Sequence, residues 1–223
     1  VGVPVLRPEL LRPDLSDREC VERLKEFLYD THLALREEQR LGICGGIAAS
    51  RKNSDAVDAM IVALHDRSRA RFLASAPDLS YRMAVVAVGG YGRRELCPKS
   101  DIDLLFLHHY KVDRYVETMT ESMLYPLWDL GFEVGHSVRN LKETIRLGGA
   151  DDSIRTALMD YRRVAGDEAL FDRLRAEVLW PAIFRPDADP QAMSAEIARV
   201  RERMVRELSQ ESEEQVNPKL GRG

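Results

Sequence analysis

Met83-Ala84-Val85-Val86-Ala87-Val88-Gly89-Gly90-Tyr91-Gly92-Arg93-Arg94-Glu95-Leu96-Cys97-Pro98-Lys99-Ser100-Asp101-Ile102-Asp103-Leu104-Leu105-Phe106-Leu107 opens on a short, unbroken apolar run rich in β-branched residues. Such a run, ended by Gly-Gly, reads as a buried strand that stops at a turn. A second apolar run begins at Ile102, so the segment is strand, glycine turn, short helical piece, strand. Side chains two apart on a strand share a face, which makes Asp101 and Asp103 project together while Ile102 and Leu104 face the core. Two carboxylates on one face suit a hard divalent cation such as Mg²⁺, with Mn²⁺ equally acceptable to oxygen ligands. Such ions usually share their coordination with substrate phosphates. The turn supplies the other half: Gly89 and Gly90 let the backbone approach a triphosphate with no side chain in the way. Ser100 is placed to donate to phosphate. Of Arg93 and Arg94, one is expected to face inward as a bidentate phosphate ligand, with Arg93 the candidate. An Asp-x-Asp alone is usually a solvated strand end, and Gly-Gly alone a tight turn; their order and separation on the elements each needs carry the functional reading.

Outward from this segment, the chain before it reads as helical. Ser16-Asp17-Arg18-Glu19 has the spacing of a capping box, and Leu24, Leu28, Thr31 and Leu35 form one buried stripe. Leu41 to Ser50, with Gly42, Gly45 and Gly46, is expected to be a connection, followed by a helix over 53–73 with Val57, Ile61 and Leu64 inward. After the Asp-x-Asp strand, 112–130 reads as an amphipathic helix closed by Gly131, with Met119 and Met123 in its core face, and 132–138 as a third strand. From Asn140 onward the pattern is helical, including 168–179 and 190–214. The plan is α+β: a small mixed sheet flanked by helices, with an N-terminal helical segment over 1–75, a core over 76–150 and a helical segment over 151–223.

The 223 residues can bury a real core, and their net charge of −4 argues against a protein that coats nucleic acid. Cys20, Cys44 and Cys97 fall at no metal-ligand spacing and leave one unpaired, which fits a reducing compartment; no run approaches a membrane span and no signal peptide is evident. A cytoplasmic protein with no membrane partner is expected. A start at Val1 and a stop in a polar stretch suggest a chain cut from something longer. His108-His109 cannot share one ion, since neighbours on a strand face opposite ways. The arginines of 67–71 and 199–206 are expected on solvated faces.

Gly-Gly followed by Asp-x-Asp on a strand resembles the signature of the DNA polymerase β-like nucleotidyltransferase superfamily. The fuller string, GGYGRREL then PKSDIDLLFL, is similar to the N-terminal domain of the bacterial PII protein uridylyltransferase/uridylyl-removing enzymes. Further matches are Leu127-Trp128-Asp129-Leu130-Gly131, Glu133-Val134-Gly135-His136-Ser137-Val138-Arg139, Gly166-Asp167-Glu168-Ala169-Leu170-Phe171 and the closing Asn217-Pro218-Lys219-Leu220-Gly221-Arg222-Gly223. The resemblance implies a polymerase β-like fold and transfer of UMP from UTP to a tyrosine of PII. It also implies uridylyl removal by an HD domain and glutamine sensing by ACT domains, both beyond this chain. The superfamily commonly uses a third carboxylate; Glu133 is the first candidate and Asp160 the second. His136 and Ser137 are further candidates for nucleotide or acceptor contact, with a structural role the plainer reading of His136. Two alternatives remain at this point: the same chemistry with another nucleotide or acceptor, adenylyl transfer for instance, and a catalytically silent nucleotide-binding domain.

Overall fold

Six apolar residues in a row, Met83–Val88, form β1, and every one is buried. A strand needs that composition only when both of its faces and both of its edges are covered. In the structure, a computed structural model that describes residues 2–7, 11–76, 82–184, 189, 191, 194–195, 197–199 and 201–202, β1 is an inner strand of a four-stranded sheet of order β3-β2-β1-β4. β2 is Ile102–His108, β3 Val134–Arg139 and β4 Tyr161–Gly166. β1 is antiparallel to β2 and β4, whereas β2 and β3 run parallel. The helices are α1 Asp17–Arg40, α2 Gly46–Ser75, α3 Gly89–Gly92, α4 Arg114–Asp129, α5 Leu141–Ala150, α6 Asp152–Met159 and α7 Glu168–Arg173, which runs on into a π-helical stretch, Leu174–Phe184. The α+β expectation holds.

Strand alternation divides the sheet between two cores. Val85, Ala87, Ile102, Leu104 and Phe106 pack with Leu24 of α1, Val57, Met60, Ile61 and Leu64 of α2, and Met119 and Met123 of α4. Ala84, Val86, Val88, Leu105 and Leu107 pack with Leu141, Leu158, Leu170 and Leu174 from the later helices. The N-terminal helices therefore share one core with the sheet. α1 begins at the expected capping box, with Glu19 N donating to Ser16 Oγ and Ser16 N donating to Glu19 Oε2.

Three expectations are corrected. The connection is shorter than 41–50, because α2 starts at Gly46 with Gly45 as an extended N-cap; the alanines at 48 and 49 favour helix once the glycines sit at its first turn, where they cost least. Arg67 is not solvated: it is buried and donates to Leu15 O at 2.7 Å and Asp17 Oδ1 at 2.8 Å. The chain after Asn140 is not all helical, since Tyr161–Gly166 is strand β4. Arg162 and Arg163 disguise it, and it forms because β1 offers it a full ladder on one side. The expected helix over 190–214 falls largely, and the closing 217–223 entirely, outside the described residues.

His108 ends β2 inside the α4-side core, whereas His109 is exposed. Neither ring nitrogen of His108 has a hydrogen-bond partner among the described residues, and burial lowers its pKa against the smaller opposing pull of Glu143 and Asp113. A histidine whose folded pKa is depressed lets the unfolded chain take up a proton first. Stability is therefore full above the ordinary histidine value of about 6.5 and falls as pH drops below it, until the folded pKa is passed. Urea unfolding at pH 7.5 and 5.5 should show wild type losing about 1 kcal/mol more than His108→Leu on acidification. Equal losses would contradict this assignment.

Candidate active site

β2 brings the two aspartates to the start of the sheet. Asp103 lies on the same face as Leu105 and Leu107, the face that becomes the second core further along; at Asp103 that core has ended, and both Asp101 and Asp103 are half-buried. A cleft of about 180 Å³ opens here, lined by Val88, Asp103, Gly135, Ser137, Arg139 and Leu158 among others.

The Asp103 carboxylate is held between two glycines. The parallel register pairs Asp103 with Gly135. A Cβ on Gly135 would sit inside the van der Waals envelope of Asp103 Oδ1 and 3.6 Å from its Cγ, while one on Gly89 would lie 3.3 Å from Oδ2. Any larger residue at 135 would take the space the carboxylate occupies. The carboxylate thus lies against backbone at two glycines, where a side chain on either would press on it. The residues present therefore fit a divalent cation held by Asp101 and Asp103. Among the described residues no three His, Cys, Asp or Glu side chains converge as a metal-holding group.

The Gly89–Gly92 turn follows β1 directly and is capped by Arg93 N donating to Gly89 O at 3.1 Å. Its two arginines part company. Arg93 donates to Asp160 Oδ2 at 2.5 Å and to Glu95 Oε2 at 3.1 Å, which raises its pKa, the Asp160 bond most. Arg94 turns to Asp55 on α2. Ser100 sits in the loop before β2, its amide donating to Cys97 O at 2.9 Å.

Sequence comparison adds to this geometry. The chain is 42% identical over 167 residues to a bifunctional uridylyltransferase/uridylyl-removing enzyme of Phenylobacterium zucineum, covering 73% of this chain and 18% of that protein. It is 42% identical over 157 residues to the enzyme of the same name from Caulobacter vibrioides, covering 70% and 17%, and 51% identical over 109 residues to that of Cereibacter sphaeroides, covering 49% and 12%. Over this shared region, the chain belongs with the bifunctional uridylyltransferase/uridylyl-removing enzymes. It spans less than a fifth of the length of these relatives. No family model matches the chain. A solved toxin–antitoxin structure with AMP-PNP superposes at a TM-score of 0.31 and 12% identity, over 64% of this chain and 97% of that one, a likeness too slight to bear on the site.

In this uridylyltransferase relative the remaining candidates fall as follows. Glu133 immediately precedes β3; its carbonyl accepts from Ile102 N at 2.8 Å, which sets it alongside Asp101, and its side chain is exposed. Asp160 ends α6 just before β4, next to the glycine turn and paired with Arg93. Ser137 shares the face of Asp103 and Gly135. His136 does not: it pairs with Leu104, points to the opposite side of the sheet, and its ring lies edge-on to Trp128 at 6.0 Å between centroids. One step along β3 reverses the face, so the exposed His136 borders the cleft from its rim rather than from the Asp103 side.

Sequence reasoning missed the support beneath the turn. Asn53 Nδ2 donates to Leu96 O at 2.9 Å, Leu96 N donates to Ser54 Oγ at 3.1 Å, and Tyr91 Oη donates to Asp58 Oδ1 at 2.6 Å. One signal was present: Asn53 lies four residues before Val57 and eight before Ile61, so a polar residue occupies the buried stripe of α2, where it needs a specific partner.

Proposed function

We propose that this chain is the nucleotidyl-transferring part of a uridylyltransferase, moving UMP from UTP to a tyrosine hydroxyl of the PII nitrogen regulatory protein and releasing pyrophosphate. The observation that carries the reading is the Asp103 carboxylate set between Gly89 of the turn and Gly135 of β3, with Asp101 two residues before it at the entry to β2. In the reaction the acceptor oxygen bonds to the α-phosphorus, the bond from that phosphorus to the bridging oxygen breaks, and the acceptor hydroxyl gives up its proton. Divalent metal, Mg²⁺ or Mn²⁺, held by Asp101 and Asp103, would neutralise charge on the phosphates and on the attacking and leaving oxygens.

The chain's own residues do the rest. Gly89 and Gly90 bring backbone to the triphosphate, Ser100 donates to phosphate oxygen, and Arg93 exchanges its carboxylate partners for the triphosphate. Glu133, at the mouth of β3, is the proposed base for the tyrosine hydroxyl. Asp160 is the second candidate: an Arg93 drawn to phosphate releases its carboxylate beside the turn. The chain acts as a cytoplasmic enzyme, with no nucleic-acid or membrane partner, and glutamine acts through parts of a longer protein. Among the described residues no helix is long and apolar enough to cross a membrane.

Binding tests this reading directly. With labelled UTP and ATP in parallel, the chain should retain UTP in Mg²⁺ and lose it in EDTA. Asp101→Asn/Asp103→Asn should bind at least about tenfold more weakly in Mg²⁺ and be indifferent to chelation. Preference for ATP would redirect the assignment to adenylyl transfer. Metal-independent binding, unchanged in the double variant, would favour a silent nucleotide-binding domain.

A further inference from the structure

A turn made of Gly89, Gly90, Tyr91 and Gly92 has little of its own to hold one shape, because glycine gives up the most conformational freedom on ordering. Tyr91, its one side chain, is 1% exposed. The phenol ends on Asp58 of α2 at 2.6 Å, and the other contacts of that carboxylate lead away from the turn: Arg162 of β4 donates through Nη1 to Asp58 Oδ2 at 2.5 Å and through Nη2 to Asp58 Oδ1 at 3.0 Å. Arg162 Nη2 also reaches back to Tyr91 O at 3.2 Å, and its guanidinium lies 5.3 Å from the centre of the Tyr91 ring. The turn is thus gripped by side chain and by backbone through one ion pair. Behind it there is no slack: a Cβ on Gly92 would overlap Asp160 O and lie 2.8 Å from Asp160 C.

We infer that Asp58 is a positioning residue for the nucleotide, fixing the Gly89–Gly92 turn against the Asp103 carboxylate through Tyr91 and Arg162. The inference rests on the nucleotidyltransferase reading given above. Stability alone does not call for this arrangement. A phenylalanine at 91 would fill the same space, and an apolar pair in place of Asp58 and Arg162 would spare the desolvation of two half-buried charges. What an ionic and hydrogen-bonded set adds is a single geometry, and the turn whose geometry it fixes opens on Gly89, where an added Cβ would come within 3.3 Å of Asp103 Oδ2. Burial, reinforced by the Asp58 charge, pushes the Tyr91 phenol well above its ordinary value, so it stays a donor throughout the physiological range.

Tyr91→Phe and Asp58→Asn, singly and together, are the variants to make, since the first removes only an oxygen and should fold. Thermal midpoints and circular dichroism establish folding; UTP affinity in Mg²⁺ and the KM for UTP and for the acceptor protein are then compared with wild type. Tyr91→Phe removes one hydrogen bond to a charged group and Asp58→Asn removes the charge that Tyr91 and Arg162 share; each is expected to bind UTP about tenfold more weakly, with the acceptor KM unchanged. The double variant should be little worse than the poorer single, because both act through one link. Folded variants with wild-type UTP affinity would overturn the role of Asp58 while leaving the transferase reading intact. A wild type with no metal-dependent UTP binding would overturn that reading and, with it, any nucleotide role for Asp58.

Discussion

Gly135→Ala is expected to cost nucleotidyl transfer about 10³-fold, nearly as much as Asp103→Ala, while leaving the chain folded. The reason is where the added methyl goes. It would take the position of Asp103 Oδ1, the end of a short side chain that can rotate, so the fold is spared by moving the carboxylate. On the proposed assignment, a carboxylate turned away from its place would no longer share a metal with the triphosphate, an electrostatic contribution of several kcal/mol, or about three powers of ten in rate. Three measurements separate this from simple unfolding: transfer of label from UTP, metal-dependent UTP binding, and the thermal midpoint. Activity close to wild type in a folded Gly135→Ala variant would mean that Asp103 is not the metal ligand. Loss of activity together with a collapsed midpoint would mean that the glycine serves the sheet.

Gly166→Ala should do the opposite, destabilising the whole chain by about 3–5 kcal/mol, or roughly 10 °C in thermal midpoint. Gly166 ends β4 at φ +84°, a conformation costly for any residue with a side chain. A Cβ there would overlap Met83 O and lie 3.0 Å from the Ala84 Cα. Both neighbours are backbone of the central strand, which cannot rotate aside as Asp103 can. The ladder from Ala84–Gly166 to Val88–Tyr161 would have to shift, and with it Arg162 and the Asp160 junction. Denaturant unfolding reads the effect; a loss below about 1 kcal/mol would show that the end of β4 is free to relax.

These two glycines mark the limits of sequence reading here. In the sequence Gly135 stands out only within the family resemblance, and nothing local distinguishes it from a glycine that weakens a strand. Its importance appears only when β3 is laid parallel to β2 with Asp103 as its partner. Strand β4 was missed for a related reason: Tyr161-Arg162-Arg163 has no apolar alternation, because Arg162 is neutralised by Asp58 from a helix about 100 residues earlier. Arg67 was misjudged in the same way, since its partner Asp17 lies 50 residues away.

The sequence by itself determined the strands at Met83–Val88 and at Ile102 onward, the glycine turn between them, and the capping box of α1. All of these follow from backbone periodicity and neighbours within a few residues, where local physics suffices. Only the tertiary structure decided which glycine lies against the Asp103 carboxylate, which arginine goes to Asp160 and which to Asp55, and that α2 grips the turn through Asp58. Those are pairings across long stretches of chain, set by sheet register and helix packing, and a charged or polar residue carries no mark in its own neighbourhood of the distant group that will satisfy it.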